Sequence, residues 1–191
     1  DYSEAGAKIV YSAKEVFEAD MIIKVEPPSE AEIDLMKKGQ TLISALQLKT
    51  RQKKYFKSLM KKGVTALSFE NIEDEDGIVP VVRSMSEIAG NTSIVIAAEY
   101  LSNANDGKGF LLGGVSGVPP TEVVIIGAGT VGTFAARTAL GLGANVKVFD
   151  RSLSKLRRLQ SQLNNIPIYT CVIQPKILEK ALMRCDVAIG A

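Results

Sequence analysis

Three glycines and one carboxylate hold the clearest chemical pattern in the chain. Residues 123–132 read Val-Val-Ile-Ile-Gly-Ala-Gly-Thr-Val-Gly, and residues 145–150 read Asn-Val-Lys-Val-Phe-Asp. This is a buried strand, a glycine-rich turn, a helix and a second strand ending in an acid, the order that binds a dinucleotide. Gly127 lets the chain turn tightly as it leaves the strand. Gly129 has no Cβ, so backbone can approach a pyrophosphate, and Gly132 lets helix and strand pack closely. The helix starting near Thr130 turns its free N–H groups and positive dipole end toward the phosphates. Asp150 stands 18 residues beyond Gly132, where a carboxylate can take both ribose hydroxyls of an adenosine. A carboxylate there repels a 2′-phosphate, which favours NAD over NADP. Arg151 beside it weakens that preference, because an arginine could pair with the phosphate.

A second set of residues is defined by position. In open parallel sheets ligands bind beyond the carboxyl ends of the strands. Lys24 closes an apolar strand, Met21–Val25, and Gln47 follows another, Thr41–Leu46, so both stand on one rim. On position alone Lys24 is either a functional cation or a lysine snorkelling from its strand, and Gln47 is a polar residue at a strand end. The chain has no histidine, so acid–base work must use Lys, Asp, Glu, Tyr, Cys or water. The basic stretch Lys49–Lys62 is read as a solvated helix face, with Tyr55, Phe56, Leu59 and Met60 as its apolar stripe. The acidic run Glu70–Asp76 is read as a charged loop and not a metal site, since nothing orients the ligands.

These residues need elements to hold them. In the first half, strands are predicted at Lys8–Tyr11, Met21–Val25, Thr41–Leu46 and Thr65–Glu70, with helices at Ala13–Glu18, Glu30–Lys37 and Arg51–Lys62. Ser12 with Glu15 and Ser29 with Glu32 have capping-box spacing, and Gly39 and Gly63 suit helix ends. A long apolar helix at Ser86–Leu101, capped by Ser84–Glu87, is expected to lie buried between two layers. After Asp150 come a helix at Ser154–Leu163, a strand at Ile168–Val172, a helix at Lys176–Arg184 and a strand at Asp186–Ile189. Strand–helix alternation implies parallel sheets. The expected fold is α/β, with two Rossmann-like domains joined by a long helix and both incomplete. We place a partial substrate domain at 1–85, the linking helix at 86–102 and a partial NAD-binding domain at 103–191.

Composition sets the outer bounds. In 191 residues, 46% hydrophobic and 23% charged content are those of a soluble globular protein. A net charge of +2 gives no reason to expect nucleic acid, and the apolar runs are too short to span a bilayer. Cys171 and Cys185 lack metal-ligand spacing and are read as buried reduced thiols, consistent with cytoplasm.

Several motifs together resemble one family. Leu111-Leu-Gly-Gly-Val-Ser-Gly-Val-Pro-Pro120, running into the glycine-rich turn and Gly141-Leu-Gly-Ala-Asn-Val, closely resembles alanine dehydrogenases. Ser84-Met-Ser-Glu-Ile-Ala-Gly90 and Ile23-Lys-Val-Glu-Pro27 are similar to two further segments of that family, and the similarity runs through essentially the whole chain. The resemblance implies NAD-linked oxidative deamination of L-alanine to pyruvate and ammonium, hydride passing to the nicotinamide and water attacking the resulting imine. It assigns Lys24 to the substrate carboxylate or carbonyl and Ser86 to the cofactor. Gly129, Thr130 and Val131 would line the pyrophosphate, Asp150 the ribose and Lys155 the adenosine edge. It also implies a small-molecule partner and a homo-oligomeric full-length form, of which this chain is a fragment. Two positions depart from the family: Gln47 replaces the acid–base histidine of a Leu-His-Leu segment, and Asn91 replaces an arginine. Glutamine can hydrogen-bond a carbonyl but cannot exchange a proton at neutral pH, so that task would fall to another residue. Two further expectations stand beside the dehydrogenase: a transhydrogenase-like NAD(H)-binding component, and a non-catalytic NAD-binding module.

Overall fold

The computed structural model describes residues 1–164 and 166–191. They form two units, Asp1–Val82 and Arg83–Ala191. The first contains α1 (Ala13–Val16), β1 (Met21–Ile23), α2 (Glu30–Leu35), β2 (Thr41–Ser44), α3 (Lys53–Lys62) and β3 (Thr65–Ser68). Its three strands pair in parallel in the order β1-β2-β3, with Ile22 opposite Leu42 and Leu42 opposite Ala66. Alternation along the strands decides which face is covered: Ile22 is buried between exposed Met21 and Ile23, and Leu42 and Ser44 turn inward on β2. Ile33 from α2 and Tyr55 and Leu59 from α3 complete that core. Helix α2 starts at a full capping box between Ser29 and Glu32, and α3 stops at Gly63, whose φ of 66° is left-handed.

The expected strand at Lys8–Tyr11 does not form. Ile9 and Tyr11 are exposed, and no described strand pairs with that stretch, so its backbone has no ladder to join. Met60 also leaves the expected apolar stripe and faces solvent.

Helix α4 (Pro80–Leu101) begins earlier than the sequence suggested. Proline is well suited to a first helical position, where its missing N–H costs nothing, so Ser84–Glu87 falls inside the helix and does not cap it. The expectation of a helix buried between two layers is also corrected. Gly90, Ile94 and Leu101 form one buried stripe, while Ile88, Val95, Ile96 and Tyr100 are exposed.

The second unit continues with β4 (Glu122–Ile126), α5 (Thr130–Gly141), β5 (Asn145–Asp150), α6 (Leu153–Gln162), β6 (Tyr169–Val172), α7 (Pro175–Leu182) and β7 (Val187–Gly190). The sheet is parallel, in the order β6-β5-β4-β7. The chain therefore winds outward from β4 in one direction, then returns to its other side, which sets the topological switch between β4 and β7. Both faces are covered. Val123, Ile125, Val146 and Val148 pack with Ile94, Ala135, Leu156 and Leu159, whereas Val124 and Phe149 pack with Ala181. Cys171 and Cys185 are free and half-buried, and burial pushes the Cys185 thiol up. No helix among the described residues is long and apolar enough to cross a membrane.

Candidate functional site

The glycine-rich turn leaves β4 at the switch point. Gly127 has a φ of +119°, and a Cβ there would run into the Ala191 carbonyl oxygen, so no other residue fits without displacement. A Cβ on Gly132 would strike the Gly127 carbonyl oxygen. Gly129 differs: among the described residues nothing lies within 4 Å of where its Cβ would be. The described protein atoms make no demand for glycine at that position, whereas a ligand laid against the backbone would. Gly129 is also the N-cap of α5 and gives it no side-chain cap, so the first-turn N–H groups of Thr130, Val131 and Gly132 remain for an anion. The turn thus suits a pyrophosphate.

Asp150 closes the turn. Its Oδ2 accepts from the Ala128 N–H at 2.7 Å and its Oδ1 accepts from the Ser152 N–H at 2.7 Å. Burial works against its ionisation, but those two N–H groups and the nearby Lys155 charge outweigh it, holding the carboxyl below its ordinary value. Each oxygen keeps a second lone pair, so ribose hydroxyls can still be accepted. Arg151 and Lys155 are exposed beside it.

Ser86 enters through α4. A Cβ on Gly90 would lie 2.5 Å from the Val131 carbonyl oxygen and 2.7 Å from the Phe134 Cβ, so the absence of a side chain lets α4 touch the start of α5. Further along, Thr138 donates to Asn91 Oδ1 at 2.7 Å. These contacts advance together along both helices. Half-buried Ser86 lies one turn before Gly90 on the same face of α4.

In the first unit, Lys24 follows β1 and its N–H donates to the Ile43 carbonyl at 3.0 Å, fixing it to the rim. Its Nζ donates to Glu32 Oε1 at 2.7 Å, the main cause holding the Glu32 carboxyl below its ordinary value. Gln47 stands on the same rim with a φ of 51°, unusual outside glycine. Its N–H donates to Glu70 Oε2 at 2.7 Å, its carbonyl accepts from the Thr50 and Arg51 N–H groups, and its Oε1 accepts from Arg51 Nε at 3.3 Å. Gln47, Thr50, Glu70 and Asn71 help line a cavity of about 500 Å³. Glu32 and Glu70 were not among the site residues named from sequence. Glu32 was visible as a capping acid, and Glu70 as the residue that closes the expected strand Thr65–Glu70 and opens the acidic run.

A doubly wound sheet with a glycine-rich turn at its switch point defines an α/β protein with a Rossmann-like fold. Comparison with known proteins identifies the family. Residues 1–89 match the N-terminal domain, and residues 93–191 the C-terminal domain, of the alanine dehydrogenase/PNT family, and the chain belongs to it. It is 41% identical to an alanine dehydrogenase of Mycolicibacterium smegmatis, over 100% of this chain and 51% of that protein. A solved L-alanine dehydrogenase superposes with a TM-score of 0.84 at 38% identity, over 98% of this chain and 51% of the other. A transhydrogenase from Sinorhizobium meliloti superposes with a TM-score of 0.77 at 24% identity, over 100% of this chain and 55% of the other, a likeness of fold alone. The chain spans about half the length of the relatives it matches.

Proposed function

We propose that the full-length protein carrying this chain is an NAD-dependent alanine dehydrogenase, converting L-alanine, NAD⁺ and water to pyruvate, ammonium, NADH and a proton. One observation carries the cofactor half: Gly129 lies open at the start of α5 while Asp150 ties down the turn around it. Family membership supplies the substrate class. The substrate half lies within residues 1–85 and the NAD half within 103–191.

In this reading the N–H groups of Gly129, Thr130 and Val131 hold the pyrophosphate, and Gly127 and Gly132 keep the turn close enough to do so. Asp150 accepts from the ribose hydroxyls, Lys155 flanks the adenosine, and Ser86 faces the cofactor from α4. When bound, NAD supplies the hydride acceptor. The Lys24 ammonium binds the substrate carboxylate or carbonyl. The Gln47 amide donates to the carbonyl and moves no proton, so another group exchanges protons with substrate. We further propose a cytoplasmic homo-oligomer; free Cys171 and Cys185 support the compartment, and the exposed apolar positions of α4 support assembly.

The test is alanine-dependent NADH formation by the full-length protein. Its absence, with pure folded protein and saturating NAD, would overturn the proposal. Gln47 favours one second reading, hydride transfer between nucleotides, which needs no substrate acid. Reduction of an NADP analogue by NADH without alanine would select it.

A further inference from the structure

We infer that Glu32 is a positioning residue for Lys24, holding its ammonium at the rim from the capped start of α2. This rests on the reading of Lys24 as a substrate-binding cation. The carboxylate is engaged at both oxygens. Oε1 accepts from Lys24 Nζ at 2.7 Å, and Oε2 accepts from the Ser29 N–H at 2.7 Å. The Glu32 N–H in turn donates to Ser29 Oγ at 3.2 Å, which completes the capping box. Pro27 and Pro28, both buried, fix the backbone between β1 and α2. Lys24 would otherwise be a long, freely rotating side chain, but here it is tied to the start of a helix that is itself anchored.

The geometry leaves Lys24 usable. An ammonium has three N–H donors, and the bond to Glu32 takes one, so two remain for a carboxylate or carbonyl oxygen. The pair is half-buried, with side-chain exposures of 24% for Lys24 and 28% for Glu32, so a small anion can reach it. One acid therefore serves both the helix cap and the functional cation.

Two substitutions separate those tasks. Glutamine at the third helical position still completes a capping box, so Glu32→Gln keeps the cap and removes the charge facing Lys24. Ser29→Ala removes the hydroxyl half of the cap but keeps the N–H that Glu32 grips. In the full-length protein, Glu32→Gln is expected to raise the KM for L-alanine on the order of ten-fold, with NAD affinity unchanged. Ser29→Ala is expected to lower Tm and leave that KM within two-fold of wild type. An unchanged KM in Glu32→Gln, or an equal rise in Ser29→Ala, would overturn the inference.

Amine-selective labelling of Lys24, read by peptide mass spectrometry, tests the same bond without turnover. Glu32→Gln should label several-fold faster than wild type and Ser29→Ala at the wild-type rate. Equal rates in all three proteins would overturn the positioning role. If wild type forms no NADH from alanine while the labelling contrast holds, it is the substrate reading that fails.

Discussion

Asp150 has two tasks, and they can be told apart. Its carboxylate accepts from the Ala128 and Ser152 N–H groups, so it braces the turn, and in the proposed function it also faces the ribose. Asp150→Ala should weaken NAD binding in calorimetry and also lower Tm without ligand; unchanged affinity would remove Asp150 from the site. The bracing depends on pH. A carboxyl held below its ordinary value when folded contributes fully above the unfolded pKa of about 3.9. That contribution is lost as pH falls through the lower folded pKa. Asp150→Asn should therefore flatten the acid limb of a Tm-against-pH curve. Gln47 offers a second contrast, at the rim. Gln47→Ala should impair turnover moderately with the shape of the pH profile kept, whereas Gln47→His should add an ionisation near neutral pH. An ionisation lost in Gln47→Ala would contradict its assignment as a group that only orients substrate.

The glycines of the turn separate cofactor binding from packing. Gly129→Ala places a methyl in open space, so it should leave Tm unchanged and weaken NAD binding. Gly132→Ala drives a methyl into the Gly127 carbonyl and should cost about 1–3 kcal/mol of stability before any ligand is added. Equal Tm losses in the two variants, followed by denaturation, would contradict the assignment. The turn was legible from sequence because its requirements are local: a strand, three glycines and an acid at fixed spacing each state a backbone or charge need. The family motifs Leu111–Pro120 and Gly141–Ala144 were legible for a different reason. A Cβ on Gly113 would meet the Leu142 carbonyl, and one on Gly114 would lie 3.2 Å from the Gly143 carbonyl oxygen, so the two motifs form one structural junction. What sequence did not show are pairings set by folding. Glu70 reaches Gln47 across 23 residues, and Thr138 reaches Asn91 across 47. The start of α4 was missed because the serines at 84 and 86 look like caps, while Pro80 begins the helix upstream. Lys8–Tyr11 has strand composition but no described strand beside it.

Each unit carries its own buried cluster, and stability should divide accordingly. Ile33, Leu42 and Leu59 belong to the first, and Ile94, Val123, Ile125 and Leu159 to the second. Helix α4 starts in the first unit, yet its buried side chains Ile94 and Leu101 both lie in the second cluster. Every residue assigned to the cofactor, from Ser86 to Lys155, is in the second unit, whereas Lys24 and Gln47 are in the first. A ligand stabilises only what unfolds with its site. Calorimetry of the chain should therefore show two transitions. NAD at a hundred times its Kd should stabilise the second unit by about 2.7 kcal/mol and leave the first in place. Leu42→Ala should lower only the first transition, by about 2–5 kcal/mol. A single transition that moves as a whole with NAD, and that Leu42→Ala lowers as a whole, would mean the two clusters unfold as one cooperative body, and the division of labour between substrate rim and cofactor turn would not extend to stability.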